Sequence, residues 1–173
     1  MNKFIADLHF GHANIIHHSN RPYTNVEEMD KALIQIWRDH VSPIDDVWIL
    51  GDLIYKSPNP KDILEQLTGT LHLIRGNHDY KFLKNQSLHR YFESIDDIRT
   101  IWEGKEQIVL CHYPMAEWPG YFRNAFHLFG HIHNTENHAK KIMDGISRCY
   151  NVGIDCIHHP MTLQEIRTFY WTK

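Results

Sequence analysis

Cysteine is scarce in this chain. Cys111, Cys149 and Cys156 are spread over 173 positions, odd in number and without a C-x-x-C pair. That excludes a disulfide framework or a thiolate zinc site as the organising feature. Reduced thiols in a cytoplasmic protein are the expectation. Long apolar runs are also lacking, none approaching the roughly 18–20 residues of a membrane helix. The opening MNKFIADLHFGH has neither the apolar stretch nor the small-residue cleavage site of a signal peptide. Nor does one sign of charge dominate: 18 basic against 21 acidic side chains leave a net charge of −3. That balance argues against a charge-driven nucleic-acid binder and against a polybasic membrane protein. Repeats, low-complexity tracts and linker-like shifts in composition do not occur, so residues 1–173 read as one domain.

Histidine is what the chain has in excess, 15 residues against 13 leucines, although leucine is normally among the commonest residues. With 42% hydrophobic and 23% charged residues, the composition is otherwise that of a folded globular protein.

The elements expected from patterning start with a strand over residues 3–6. Thr24 and Glu27 have capping-box spacing ahead of a helix over 26–40, with Met29, Leu33, Ile36 and Trp37 on one face. Residues 46–50 read as a buried strand and 60–67 as a short helix with proline in its first turn. A strand over 71–75 follows, then a hairpin of 98–102 and 107–111, and strands over 126–129 and 148–152. From Thr162 onward helix and strand remain equally open. The order β-α-β-α-β followed by β-rich sequence indicates a layered α/β fold.

Five times an apolar strand stops and metal-capable side chains follow at once: Asp7 and His9; Asp52; Asn77 and His78; His112; His131 and His133. Each alone has a plainer reading. Asp-Leu-His and Gly-Asp are ordinary turn chemistry, and His112 alone fits a buried, satisfied histidine. The pair His131 and His133 after Gly130 is the strongest single signal. Taken together, the strand ends of an open α/β sheet are where sites assemble. Two aspartates, one asparagine and four histidines are oxygen and nitrogen donors without a thiolate. They suit manganese first, with iron, zinc, nickel or cobalt also compatible. Seven candidates exceed the roughly four ligands of one tetrahedral ion and point to two divalent metal ions sharing a carboxylate.

The ordered series Asp7-x-His9, Gly51-Asp52, Gly76-Asn77-His78-Asp79, His112 and Gly130-His131-x-His133 resembles the calcineurin-like metallophosphoesterase superfamily. The opening DLHFGHANII with Asn20-Arg21-Pro22-Tyr23 is similar to a small bacterial and phage subgroup of it. The resemblance implies two mixed β-sheets packed as a sandwich and flanked by helices. It implies one metal on Asp7, His9, Asp52 and His133, and a second on Asp52, Asn77, His112 and His131. It makes His78 a catalytic residue beside the metals, with Asp79 orienting it. The implied reaction is hydrolysis of a phosphoester; in-line attack by a hydroxide bridging the metals is the expected mechanism, and a phosphodiester or nucleotide the leading substrate class. Phosphomonoesters stay open as the alternative. So does a non-catalytic scaffold of the same fold, although every ligand position is intact.

The segment after Asp52 reads Leu-Ile-Tyr-Lys, without the arginine of the protein Ser/Thr phosphatase signature, which argues against a phosphoprotein substrate. His12, Asn14 and Arg21 are candidate substrate contacts, Arg21 as a bidentate phosphate donor, with a turn and a surface salt bridge as the competing reading. Trp118, Tyr121 and Phe122 follow His112 and fit nucleobase stacking, packing under a loop or a homodimer contact. The expected partner is a small phosphoester or nucleotide, with nucleic acid a substrate rather than a charge-driven ligand. The segment NVGID over 151–155 reads as structural support for the site.

Overall fold

The computed structural model describes residues 1–172. The first sheet is wholly parallel, in the order β1 (Asn2–Ile5), β2 (Asp46–Ile49), β3 (Thr70–Ile74), β4 (Ser94–Asp96). The second is mixed: β5 (Ile98–Glu103) runs antiparallel to β6 (Glu106–Cys111). Strands β7 (Phe126–Phe129) and β8 (Cys149–Asn151) then continue parallel to β6. The sheets meet where the Ala6 N–H donates to the Val152 carbonyl and the Ile154 N–H to Ala6. Ala6 and Gly153 pair in parallel, so β1, β2, β3, β6, β7 and β8 all point the same way. Their carboxyl ends share one edge.

One apolar core joins the two sheets. Phe4, Ile5, Val47, Ile49, Leu71 and Leu73 of the first meet Ile108, Leu110, Phe126 and Leu128 of the second. Helix α1 (Ala13–His18) and the longer α2 (Val26–His40) follow β1. Along α2 the spacing of Met29, Leu33 and Trp37 buries one stripe against this core. The cap differs by one residue from the sequence expectation. Asn25, not Thr24, accepts the Glu28 N–H, and Thr24 instead donates to the Glu28 carboxylate. Either residue has a cap-forming oxygen, so spacing alone does not choose between them.

Helix α3 (Pro60–Leu64) is shorter than expected, and α4 (Tyr80–Leu83), α5 (His138–Met143) and α6 (Ile154–Ile157) are single turns or little more. The C-terminal ambiguity resolves as helix α7 (Leu163–Trp171), closed by a reciprocal Thr162–Glu165 capping box. Leu163 and Ile166 of α7 enter the core, and the Tyr170 hydroxyl donates to the Asn151 carbonyl beside β8. Among the described residues no helix is long and apolar enough to cross a membrane.

Candidate metal centre

The loops that leave β1, β2, β3, β6 and β7 lie side by side at the common edge. They are tied to one another before any side chain is considered. The Asp7 N–H donates to the Gly51 carbonyl, that of His9 to Asp52, and that of Gly130 to His112. The loops pack so closely that a side chain at Gly51, which holds φ +87°, would overlap the His112 ring. At Gly130 a Cβ would stand 2.5 Å from Asp7 Oδ2. Asp7, His9, Asp52, His131 and His133 all adopt φ between 50° and 70°. The left-handed region costs an L-residue roughly 1–2 kcal/mol, and five such residues at one edge are strain gathered at a site.

This backbone brings the candidate donors into two clusters. Asp7, His9 and His133 form one and Asp52, His112 and His131 the other, each set presenting one ligand atom per residue within 4.8 Å of its neighbours. Asp52 stands between them. Its Oδ1 accepts the His78 N–H at 2.9 Å. Oδ2 faces His9 Nε2 at 3.5 Å, His112 Nε2 at 3.6 Å and His78 Nε2 at 3.9 Å. Asn77 joins the second cluster, its Oδ1 lying 3.0 Å from His112 Nε2.

Proton accounting decides what fits here. His112 Nδ1 lies 2.8 Å from the Leu50 carbonyl, which can only accept, so the ring proton sits on Nδ1. Burial holds the His112 pKa below its ordinary value, so the ring is neutral and Nε2 is a bare lone pair. That lone pair meets the Asn77 carbonyl oxygen and the Asp52 carboxylate, three acceptors with no hydrogen among them. In the other cluster the fully buried His9 Nε2 has no hydrogen-bond partner. Converging acceptors and an orphaned imidazole nitrogen fit divalent cations. Asp7, His9, His133 and Asp52 would hold one, and Asp52, Asn77, His112 and His131 the other.

The surrounding polar groups fix these donors. Asp155 Oδ2 accepts His133 Nδ1 at 2.7 Å, which leaves Nε2 for the cluster. The Asp155 carboxylate is also clasped by Arg21, through Nε at 2.8 Å and an η nitrogen at 3.1 Å. The same guanidinium donates to the carbonyls of Asp7 and Leu8. Burial would raise the Asp155 pKa, but the His133 hydrogen bond and the Arg21 charge outweigh it and hold the group below the ordinary carboxylate range. Burial likewise works to lower His133, yet its hydrogen bond to Asp155 and the charge of Asp7 keep it raised. At Asp7 burial dominates and pushes the carboxyl up to about 7.

A family model for the calcineurin-like phosphoesterase superfamily domain matches residues 3–160. The chain belongs to that family. It is a metal-dependent phosphoesterase, a hydrolase of phosphoric esters. An uncharacterised protein of Methanocaldococcus jannaschii is 34% identical over 166 residues, covering 94% of this chain and 86% of its own. A protein of Mycobacterium phage L5 is 30% identical over 131 residues, 64% of this chain and 62% of the relative. Among solved structures, a protein of unknown function from Aquifex aeolicus superposes with a TM-score of 0.77 at 26% identity. That match covers 97% of this chain and 98% of the other.

Other residues of the phosphoesterase stand elsewhere than the sequence implied. Arg21 is buried, and its donors are spent on Asp155 and two backbone carbonyls, so it clamps the metal loops and does not face a substrate phosphate. Asp79 does not orient the His78 ring. Its carboxylate accepts the N–H groups of Asp52, Leu53 and Gly76, pinning the second and third loops together. Burial pushes its pKa up to about 7 despite those three bonds. His12 does reach the site: its Nδ1 is 3.3 Å from that of His9 and its ring lies against Tyr55. Asn14 is exposed at the start of α1. Trp118 is buried, donating to the Ala125 carbonyl and packing on His127, with Tyr121 against it.

The sequence reading did not single out two rings that flank the centre. Tyr55 lies edge-on to His78 at 4.6 Å, and Tyr113 to His131 at 4.7 Å. Neither has a sequence signature; only the preceding strand ends locate them.

Two outcomes follow from this geometry. The raised pKa keeps Asp7 protonated below about 7, whereas a cation takes the carboxylate. Affinity for Mn²⁺ therefore rises between about pH 6 and pH 8, and uptake near neutrality releases protons. Calorimetry in two buffers of different ionisation enthalpy reads both effects; a flat affinity without proton release contradicts them. Asp155→Ala strands the buried Arg21 and frees the His133 ring. We expect a loss of about 3–5 kcal/mol in denaturant unfolding and roughly 10–100-fold weaker metal binding. A variant matching wild type in both would remove Asp155 from its supporting role.

Proposed function

We propose that this phosphoesterase cleaves a phosphodiester or nucleotide, with His78 protonating the leaving oxygen. The observation that carries the reading is the pair of rings on opposite sides of the centre. Tyr55 stands against His12 and His78, and Tyr113, nearly half exposed, against His112 and His131. An aromatic ring beside each cluster offers contact to two arms of one phosphate, Tyr113 by its exposed ring and Tyr55 together with the lysines it holds, and a diester has two arms where a monoester has one.

A pair of divalent ions, when bound, supplies positive charge for the phosphoryl oxygens and lowers the pKa of water. Manganese is the first choice for this donor set. In-line displacement places the attacking and leaving oxygens on opposite sides of phosphorus. His78 suits the leaving side. Its side chain is 32% exposed, its Nε2 is 3.9 Å from Asp52 Oδ2, and its backbone is fixed by the bond to Oδ1. It is therefore anchored beside Asp52 while its partly exposed ring would face a substrate. His12, against both Tyr55 and His9, sits behind it. Cys111 and Cys149 are free thiols, which supports a reducing, cytoplasmic setting.

The test is a panel of monoesters, diesters and nucleotides with several divalent metals, run on wild type and His78→Ala. Diesters should show the higher kcat/KM. The variant should lose roughly 10²–10⁴-fold on alkyl leaving groups and far less on p-nitrophenol esters, which leave without a proton. Equal losses on both would end the general-acid role, and monoesters outrunning diesters would overturn the substrate class.

A further inference from the structure

Beside His78 the rim of the site carries two lysines that are in no ion pair among the described residues. Lys56 follows Tyr55 in the loop after β2, and Lys81 lies on α4 after the Asn77–Asp79 turn. Their Nζ atoms stand 5.1 and 5.3 Å from the centre of the Tyr55 ring. That ring touches His78 and His12, 4.6 and 4.2 Å between centres. The loop after β2 and helix α4 thus bring two ammonium groups to one aromatic ring next to the proposed proton donor. Among the described residues the lysines in ion pairs are Lys3, Lys61 and Lys140. Lys56 and Lys81 have no carboxylate partner.

The opposite side of the centre has a different character. Residues 112–117 and 130–137, which carry His112, Tyr113, His131 and His133, contain no lysine or arginine and include Glu117 and Glu136. Lys140, the lysine that lines a cavity with His133, is paired with Glu136 and Asp144, whereas the lysines outside such pairs at the His12–Tyr55–His78 flank are Lys56 and Lys81. A cation held over an aromatic ring is positioned without being neutralised, unlike one paired with a carboxylate, and lysine is a common point-charge ligand for phosphate. Two such groups beside a phosphoester centre match a dianion better than a neutral arm.

We propose that Lys56 and Lys81, gathered on Tyr55, form a subsite for a second phosphate of the substrate, adjacent to the one that is cleaved. The proposal rests on the phosphoester reading above and narrows its substrate class. A nucleic-acid strand and a small nucleoside bisphosphate both present this chemistry. The lone tyrosine across the centre would meet the arm that lacks the extra charge.

Two pairs of compounds test the subsite on the manganese-loaded protein: a dinucleotide with and without a 5′-phosphate, and a nucleoside 3′,5′-bisphosphate beside the 5′-monophosphate. We expect the member that carries the additional phosphate, in at least one pair, to gain tenfold or more in kcat/KM at low salt, through KM. The gain should shrink as ionic strength rises and fall to near unity in Lys56→Gln/Lys81→Gln. Lys31→Gln/Lys141→Gln, which removes the same charge from other exposed positions, should keep it. A gain in the dinucleotide pair alone identifies a strand as the source, and one in the nucleoside pair alone a small bisphosphate. No gain in either pair, or a gain equally lost in the Lys31/Lys141 variant, overturns the subsite. If no compound turns over, the phosphoesterase reading fails separately. Calorimetric affinities for the same four compounds then decide whether the second phosphate is recognised.

Discussion

The structure turns on the Asp52 carboxylate and the lone pairs that converge on it. Oδ1 is committed to the His78 backbone, and Oδ2 faces His9, His112 and His78 at 3.5–3.9 Å. With His112 protonated on the far nitrogen and His9 Nε2 orphaned, this region holds more acceptors than protons. Such a cluster is unfavourable to bury on its own. It makes sense as a site whose neutralising charge comes from cations, and much of the neighbouring polar architecture keeps those acceptors aimed.

Each supporting group acts on that constraint at one remove. Asp79 gathers three amides and Arg21 two carbonyls and a carboxylate, so the loops cannot relax out of their left-handed backbone. Asp155 settles the His133 tautomer as Leu50 settles that of His112. Asp30 of α2 accepts the Gly11 N–H and braces the loop between His9 and His12. The strain at five donor positions is offset by these bonds and by the apolar core beneath.

How much of this was legible in the sequence depends on whether the determinant is local. Strand-end motifs are: each candidate directly follows an apolar run, so Asp7, His9, Asp52, Asn77, His112, His131 and His133 stand out from adjacent residues, and the fold gathers Asp7, His9 and His133 in one cluster and Asp52, His112 and His131 in another. The long amphipathic α2 was readable for the same reason. Arg21 was misread because its partner, Asp155, is 134 residues away and nothing near Arg21 announces a buried clamp. Asp79 was misread because neighbouring His78 suggested a side-chain partner, while the carboxylate turns to backbone amides. The single-turn helices leave too few residues for periodicity to register. The histidine surplus was an ambiguous signal. His127 sits buried between the Val109 carbonyl and the Met115 N–H, and His72 stacks on Trp48; both serve packing.

The most direct test of a two-cation centre shared by Asp52 is anomalous diffraction from crystals grown with manganese. The account predicts two strong peaks per chain on either side of the Asp52 carboxylate, one beside Asp7, His9 and His133, the other beside Asn77, His112 and His131. A single peak, or peaks that do not share Asp52, would contradict it.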